Sequence, residues 1–404
     1  MNIDSLVEKY NEDIIKSAQE IIGIKSVEGK AKEGMPFGEG PYRALEYAMK
    51  LADSMGFKTK NLNGYVGYAE FGEGEETLGI LVHLDVVPEG DGWDYNPYGG
   101  EIHNGRLYGR GAIDDKGPAM AVLYAMKIIK DLELPLTKKI RIIFGTNEET
   151  GWGCMNYYLK NEKPSEMAFT PDADFPVIHA EMGILVFDLT VDIEDSCFGD
   201  VSIKDISGGN AVNMVPDKCE AILNAKNPLD VRKKLEEFVK RTGYNMSFEQ
   251  HGDDIKISSR GIQAHGSTPQ NGQNAISQLM TFLGGILECN CDICSFIKFY
   301  NEKIAFEHYG EKIGCGFEDE VSGKLIFNPG VIRMNNNNIT LKINIRYPIS
   351  STVDEVYKGI KNELEGTKIN LVEIENKLPL YVPKDHFLVQ KLMKVYRDET
   401  GDLE

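Results

Sequence analysis

The stretch LGILVHLDVVPEGDGWD, residues 78–94, indicates a buried strand that ends in polar side chains. Small and apolar residues run as far as Val82, and His83 and Asp85 follow with one leucine between them. Because side chains on a strand alternate between its two faces, residues two apart point the same way. The pattern therefore predicts an imidazole and a carboxylate aimed at one place at the end of this strand.

The length and composition of the chain indicate an acidic globular protein. Its 404 residues exceed what one ordinary hydrophobic core supports, which favours two domains. The 44 basic and 63 acidic residues give a net charge of −19, so nucleic acids and anionic membranes are not expected as partners. The sequence predicts no signal peptide and no transmembrane helix, and its cysteines are scattered and odd in number, which favours a cytoplasmic location.

Two different patterns of residues along the chain predict the domain organisation. Residues 1–183 alternate between helix and strand patterns, which favours an α/β catalytic domain with a mixed, mostly parallel sheet. Asn104-Gly105 in this part predicts a type I′ hairpin. Residues 184–379 combine charged strands with amphipathic helices, which predicts an inserted α+β domain, and residues 380–404 are interpreted as a return to the first domain.

Polar side chains follow three predicted strands of the first domain, and the turn before a predicted helix adds Asp114 and Asp115. The residues at the strand ends are His83 with Asp85, Glu148 with Glu149, and Asp172. Ligands of open α/β sheets gather at the carboxyl ends of the strands, so we expect these side chains to share one cleft. So much negative charge would be unfavourable by itself, and a pair of divalent cations would offset it. Mixed imidazole and carboxylate ligation suits zinc.

Seven motifs along the chain are typical of one enzyme family. Those of the first domain are HLDVVPEGDGW, YGRGAIDDKGP, GTNEETGWG and PDADFP, and those of the second are GGNAVNMVPD, GIQAHGSTPQNGQNA and INIRYP. With them the chain resembles the M20 family of zinc peptidases, and most of all its PepV-like dipeptidase branch. The resemblance covers nearly the whole chain. It implies a dizinc metallopeptidase that hydrolyses dipeptides or other small peptides, with the inserted domain acting as a lid.

The resemblance also implies the metal ligands. In this scheme His83, Asp114 and Asp172 bind one zinc ion, and Asp114 bridges to a second ion that Glu149 also holds. The resemblance further implies a cis peptide bond between Asp114 and Asp115, with which the family lets one side chain bridge while the next turns away.

The remaining functional residues are implied in the same way. Glu148 would be the general base, and Asp85 would orient the histidine ligand. From the second domain, His265 would stabilise the oxyanion and bind substrate together with Asn213 and Arg346, whose guanidinium suits a carboxylate.

Several alternatives stay open at this point. A deacylase of the same family, acting on N-acyl amino acids, would recognise the same amide and free carboxylate. A metal- or substrate-binding protein with little turnover is the alternative from another class. The reason for this alternative is that the family's final histidine ligand has no counterpart before residue 404, so we expect an incomplete second zinc site.

The sequence is compatible with a monomer or a homodimer. Cys289, Cys291 and Cys294 lie close together but fit no zinc-ribbon spacing, and they are interpreted as structural thiols.

Overall fold

The computed structural model describes residues 3–194, 199–335 and 338–402. Contacts between Cα atoms divide the chain into two compact units. The first unit comprises Met1–Val177 and Leu392–Glu404, and the second comprises Ile178–Lys391.

Helices and strands alternate along the first unit. Its elements are α1 (Ile3–Ile22), α2 (Glu39–Ser54), β1 (Lys58–Leu62), β2 (Val66–Phe71), β3 (Thr77–His83), β4 (Glu101–His103), β5 (Arg106–Tyr108), α3 (Lys116–Asp131), β6 (Lys139–Gly145), α4 (Gly153–Asn161) and β7 (Met167–Phe169). The turn between β4 and β5 has φ of 52° at Asn104 and 74° at Gly105. Positive φ at both central residues confirms the predicted type I′ hairpin.

The main sheet of this unit has the strand order β1-β2-β6-β3-β7. β3 is parallel to both β6 and β7, whereas the pairs β1–β2 and β2–β6 are antiparallel. The sheet is mixed, as predicted, but half of its strand pairs rather than most of them are parallel. The reason is local, because the short turn at residues 63–65 joins β1 directly to β2 and leaves no room for a crossover.

Helices pack on both faces of this sheet. On β6, Ile142 and Phe144 belong to a core with residues of α1, α2 and α3. Ile143, which lies between them, belongs to a second cluster with Tyr158 of α4. A strand that is buried on both faces reads as a continuous apolar run, and the second half of β6, residues 142–145, has this pattern.

The second unit contains most of the remaining elements. They are β8 (Ala180–Glu181), β9 (Gly183–Asp192), β10 (Val201–Gly208), β11 (Lys218–Ala225), α5 (Pro228–Thr242), β12 (Asn245–His251), β13 (Asp254–Arg260), a 3-10 turn (Pro269–Asn271), α6 (Ala275–Gly284), α7 (Asp292–Lys303), β14 (Glu318–Asp319), β15 (Gly323–Lys324), β16 (Ile326–Met334), β17 (Asn338–Tyr347), α8 (Val353–Leu364), β18 (Asn370–Lys377) and β19 (Leu380–Tyr381). The final helix, α9 (Phe387–Thr400), crosses the division at residue 391.

The large sheet of the second unit is antiparallel throughout its described pairs. Its order is β12-β13-β11-β10-β16-β17-β9-β18, and α5, α6, α7 and α8 contribute to the core on it. This is the α+β arrangement that the sequence predicts. None of the described helices combines the length and apolar character that a membrane span requires.

A small ribbon accounts for the limits of the second unit. β8 pairs with β19, so residues 178–183 and 380–391 cluster with this unit. From the sequence analysis the limits are placed at 183/184 and 379/380. The ribbon lies outside these limits because strands of two residues each leave no periodic pattern to detect.

Candidate metal centre

Strand pairing in the first unit brings the polar strand ends together. His83 is the last residue of β3 and lies opposite Gly145, the last residue of β6, in a parallel register. β7 is parallel to β3 on its other side, and Asp172 follows its end by three residues. The three strands therefore deliver their carboxyl ends to one edge of the sheet.

His83 is the centre of this edge. Its ring is buried, and Nε2 lies 2.7 Å from Oδ1 of Asp114 and 3.4 Å from Oδ2 of Asp172. The other ring nitrogen, Nδ1, donates a hydrogen bond of 3.0 Å to the backbone carbonyl of Asp85. Since a carbonyl can only accept, Nδ1 carries a proton, and Nε2 is the ring nitrogen that faces the carboxylates of Asp114 and Asp172.

The charge state of His83 reflects the same surroundings. Burial lowers the pKa of the imidazole, but hydrogen bonds to Asp114, Asp172 and Asp85 outweigh burial and shift the pKa upward. In return, the hydrogen bond to His83 lowers the pKa of the Asp114 carboxyl. The imidazole and carboxylates thus form one electrostatically coupled group.

Asp114 and Asp115 lie in the turn before α3, and the bond between them is cis, as predicted. Asp114 extends to the His83 ring, whereas Oδ2 of Asp115 accepts a 3.1 Å hydrogen bond from the backbone N–H of His83. Burial raises the pKa of the Asp115 carboxyl to about 8. Asp115 therefore positions the end of β3, a role that the sequence analysis does not give it.

Asp85 acts through two different groups. Its backbone carbonyl orients the His83 ring, whereas its carboxylate lies farther from Nδ1, at 3.6 Å. The two carboxylate oxygens instead accept hydrogen bonds of 3.1 Å and 3.0 Å from the backbone N–H groups of Glu148 and Glu149. Asp85 is buried, so this carboxylate fixes the turn that follows β6 to the end of β3.

We expect Asp85→Asn to disturb metal binding and turnover together. Asparagine has one acceptor oxygen, and its NH₂ group would face a backbone N–H, leaving one buried donor unsatisfied at a cost of about 1–3 kcal/mol. Loss of a group that supports metal ligands typically costs about 10- to 100-fold in metal affinity or activity. Metal titration and steady-state kinetics check this result, with the exposed Asp91→Asn as control. Unchanged metal affinity would contradict the role assigned to the carboxylate.

Glu148 and Glu149 are half-buried in the turn between β6 and α4. Ligand atoms of His83, Asp114 and Glu149 all lie within 4.8 Å of one another. Burial raises the pKa of the Glu149 carboxyl to about 7, with a further contribution from the Asp114 carboxylate, and burial also raises the pKa of Glu148. The centre therefore concentrates more negative charge than the one imidazole balances.

Two further residues next to the centre in the sequence are not singled out by the sequence analysis. Asn147 accepts a 2.9 Å hydrogen bond from the backbone N–H of Gly153 and so closes the turn that carries the two glutamates. Lys116 is buried, donates to the carbonyl of Ile24 at 2.7 Å, and has a pKa lowered to about 7 by burial. A lysine after two aspartates predicts an exposed first turn of a helix, so the sequence offers no signal for its burial.

The predicted site residues of the second unit fall into two places. The segments around Asn213 and His265 adjoin, because the N–H of Gly266 donates to the Asn213 carbonyl at 2.7 Å. Both side chains are exposed, and Nδ1 of His265 lies 2.6 Å from Oγ of Ser267. Arg346 lies near the end of β17, where burial lowers the pKa of its guanidinium.

The fold and the centre together define a class of protein. An α/β unit with an imidazole and several carboxylates at the ends of parallel strands has the donor set of a metal-dependent hydrolase. Among the described residues, His83, Asp114 and Glu149 lie close enough together to form a candidate site for a divalent ion.

Comparison with known proteins identifies the family. The sequence model of peptidase family M20/M25/M40 matches residues 79–403. A Bacillus subtilis protein named "Putative dipeptidase YtjP" is 38% identical, over 99% of this chain and 87% of that protein. A Staphylococcus aureus protein of the same description, SAB1611c, is 36% identical, over 98% of this chain and 86% of that protein. The chain belongs to peptidase family M20/M25/M40 and is a hydrolytic enzyme.

Solved structures share the fold at low sequence identity. Human carnosine dipeptidase 1 gives a TM-score of 0.51 at 17% identity, over 98% of this chain and 85% of that chain. The di-peptidase Dug1p of Saccharomyces cerevisiae gives a TM-score of 0.54 at 12% identity, over 99% and 84% of the respective chains. At these identities the likeness concerns the fold alone.

Proposed function

We propose that this chain is a dizinc peptidase that hydrolyses dipeptides and other small peptides. The observation that carries the proposal is the meeting of His83 Nε2 with the carboxylates of Asp114 and Asp172 at one sheet edge. The names of the relatives with 36–38% identity support a dipeptide substrate.

The donor set fits zinc. An imidazole nitrogen whose other nitrogen is held by a carbonyl, together with carboxylate oxygens, is a common zinc environment. Burial is the main cause of the upward pKa shifts of Glu148 and Glu149, neighbouring carboxylates add to both shifts, and a divalent cation would favour the ionised forms of both side chains. Softer ions that require sulfur ligands do not match these donors.

We assign the ligands to two positions. His83, Asp114 and Asp172 would hold one zinc ion, and Asp114 with Glu149 would hold the other. The ions, when bound, would activate a water molecule and polarise the substrate carbonyl.

The chain's own residues account for the proton transfers. Glu148 takes a proton from the attacking water and passes it to the nitrogen of the leaving amine. Asp85 holds the backbone of Glu148, so the base keeps its place while its side chain moves the proton. The adjacent Glu149 is then left to bind metal, which divides the two roles between neighbouring side chains.

Residues of the second unit would act on the substrate. On the family resemblance, His265 stabilises the charge that develops on the carbonyl oxygen, and Asn213 and Arg346 bind polar groups of the substrate, Arg346 its carboxylate. The hydrogen bond between Nδ1 of His265 and Ser267 supports this role, because it orients the ring and leaves Nε2 available.

We expect His265→Ala to lower turnover by about 10²- to 10³-fold, the usual effect of removing one oxyanion donor. Metal content should not change, because His265 is not among the proposed ligands. The measurement is kcat on a dipeptide beside metal analysis, with His251→Ala, an exposed histidine of β12, as the control. A His265→Ala protein that loses metal would contradict the division of roles.

One substrate panel tests the proposed function as a whole. The protein would be stripped of metal, reloaded with Zn²⁺, and assayed on dipeptides, tripeptides and N-acetyl amino acids. Fast turnover of dipeptides is the expected result. Preferential cleavage of N-acetyl amino acids would favour the deacylase, and metal uptake without turnover of any substrate would favour a binding protein.

A further inference from the structure

A second group of potential metal ligands lies in the second unit and has no part in the chemistry above. The thiol cluster consists of Cys289, Cys291 and Cys294. Its Sγ atoms all lie within 4.8 Å of one another, with 3.5 Å from Cys289 to Cys291 and 3.4 Å from Cys291 to Cys294. Cys291 and Cys294 are buried in the core of this unit, and Cys289 is half-buried beside them.

The start of α7 explains why three thiols converge. Cys291 is the residue that precedes the helix, and Cys294 lies one turn farther on, so both side chains are on the same side of the helix start. Cys289 approaches from the chain before the helix. The positive end of the helix dipole favours thiolates at this position, as it does for reactive cysteines in general.

The start of this helix is also held in place. Asp292, its first residue, is 5% exposed, and its carboxylate accepts hydrogen bonds from the backbone N–H of Glu194 at 3.0 Å and from Nζ of Lys368 at 2.9 Å. The backbone that carries the thiol cluster is therefore fixed, which reduces the ordering that a ligand must impose.

The sulfur–sulfur distances match those of a shared metal ion. A disulfide would bring two sulfurs to about 2.05 Å. Tetrahedral zinc with Zn–S bonds of about 2.3 Å places its sulfur ligands about 3.8 Å apart, a few tenths of an ångström more than the distances here. Small rotations of the side chains would make up the difference.

We propose that the thiol cluster binds one thiophilic divalent metal ion, Zn²⁺, at a site separate from the metal centre of the first unit. The three thiolates would supply three of the four tetrahedral ligands, and the half-buried Cys289 gives the ion a way in. The ion would tie the start of α7 to the preceding chain and so stabilise the fold of the second unit. This proposal replaces the interpretation of these cysteines as structural thiols.

Cobalt titration of the metal-free, fully reduced protein tests the proposal. Thiolate–Co²⁺ bonds give an intense charge-transfer band in the near ultraviolet, which imidazole and carboxylate ligands do not give. The metal centre of the first unit therefore does not contribute to this absorption band. We expect the band, once it no longer grows with added Co²⁺, to have the absorptivity of one thiolate-bound ion per chain, and to disappear when Zn²⁺ is added.

Variants locate the site. The band should be lost in Cys294→Ala and kept in Cys315→Ala, a buried cysteine of the same core outside the thiol cluster. It should also be kept in His83→Ala. Absence of the band in the wild-type protein would overturn the proposal without reference to any variant, and so would its persistence in Cys294→Ala. Formation of a Cys291–Cys294 disulfide by a chain that takes up no cobalt would point to thiol redox chemistry instead and would also overturn it.

Discussion

Glu148→Gln is expected to lower turnover of a dipeptide by about 10²- to 10⁴-fold while metal content stays at the wild-type level. The amide keeps the size of the side chain and leaves the backbone N–H that Asp85 holds, but it cannot accept the proton of the attacking water. Steady-state kinetics and metal analysis of the same preparation give the two quantities.

The neighbouring residue supplies the matched comparison for this variant. Glu149→Gln changes the same chemical group one position along the same turn, and it should reduce metal content because Glu149 is a proposed ligand. The two variants should therefore differ in metal content while both lose turnover. A Glu148→Gln protein with near-normal activity would remove Glu148 from the mechanism.

His83→Ala is expected to abolish turnover through loss of bound metal. The variant removes the imidazole ligand and leaves the carboxylates of Asp114 and Asp172 without the group that now lies 2.7–3.4 Å from them. The proposed zinc position would keep two carboxylates instead of three protein ligands, and zinc would be held more weakly. Metal analysis after dialysis and the dipeptide assay check the result.

The control for His83→Ala is His103→Ala. His103 lies on β4, where its ring stacks on Tyr95 at 3.8 Å, so its removal should leave metal content and turnover unchanged. Because His83 is buried, circular dichroism must show that the variant is folded. Asp172→Asn provides a second change, at a less buried ligand proposed for the same zinc ion. Full metal retention by folded His83→Ala would contradict the proposed ligand set.

The sequence predicts the members of the metal centre better than it predicts their contacts. His83 and Asp172 could be found because parallel strands deliver their carboxyl ends to one edge, and this rule needs only the order of helices and strands. Asp85 is predicted to orient His83, and the atom that accepts the hydrogen bond from the ring is its backbone carbonyl oxygen. Spacing along a strand shows which residues face the same way, but not which atom of a residue makes the contact.

Other features depend on partners that are distant in the sequence. Lys116 is buried and donates to the Ile24 carbonyl, which comes from another part of the chain, so its local sequence does not indicate this burial. The sheet has fewer parallel pairs than expected because a short turn decides the direction of β2, and the β8–β19 ribbon is too short for any pattern. The cysteines of the thiol cluster fit no zinc-ribbon spacing, and their convergence depends on the start of α7, which the spacing alone does not reveal.

The proposed ligands of the metal centre are not anchored equally. His83 ends β3 and Glu149 follows β6, and each of these strands has a neighbour on both sides. Asp172 follows β7, a three-residue strand at the edge of the sheet. Edge segments with few hydrogen bonds open by local unfolding at a lower free energy than inner strands do. Exchange of the ion that Asp172 helps to hold would therefore proceed by fraying at β7, while the inner strands keep the imidazole in place to receive the next ion.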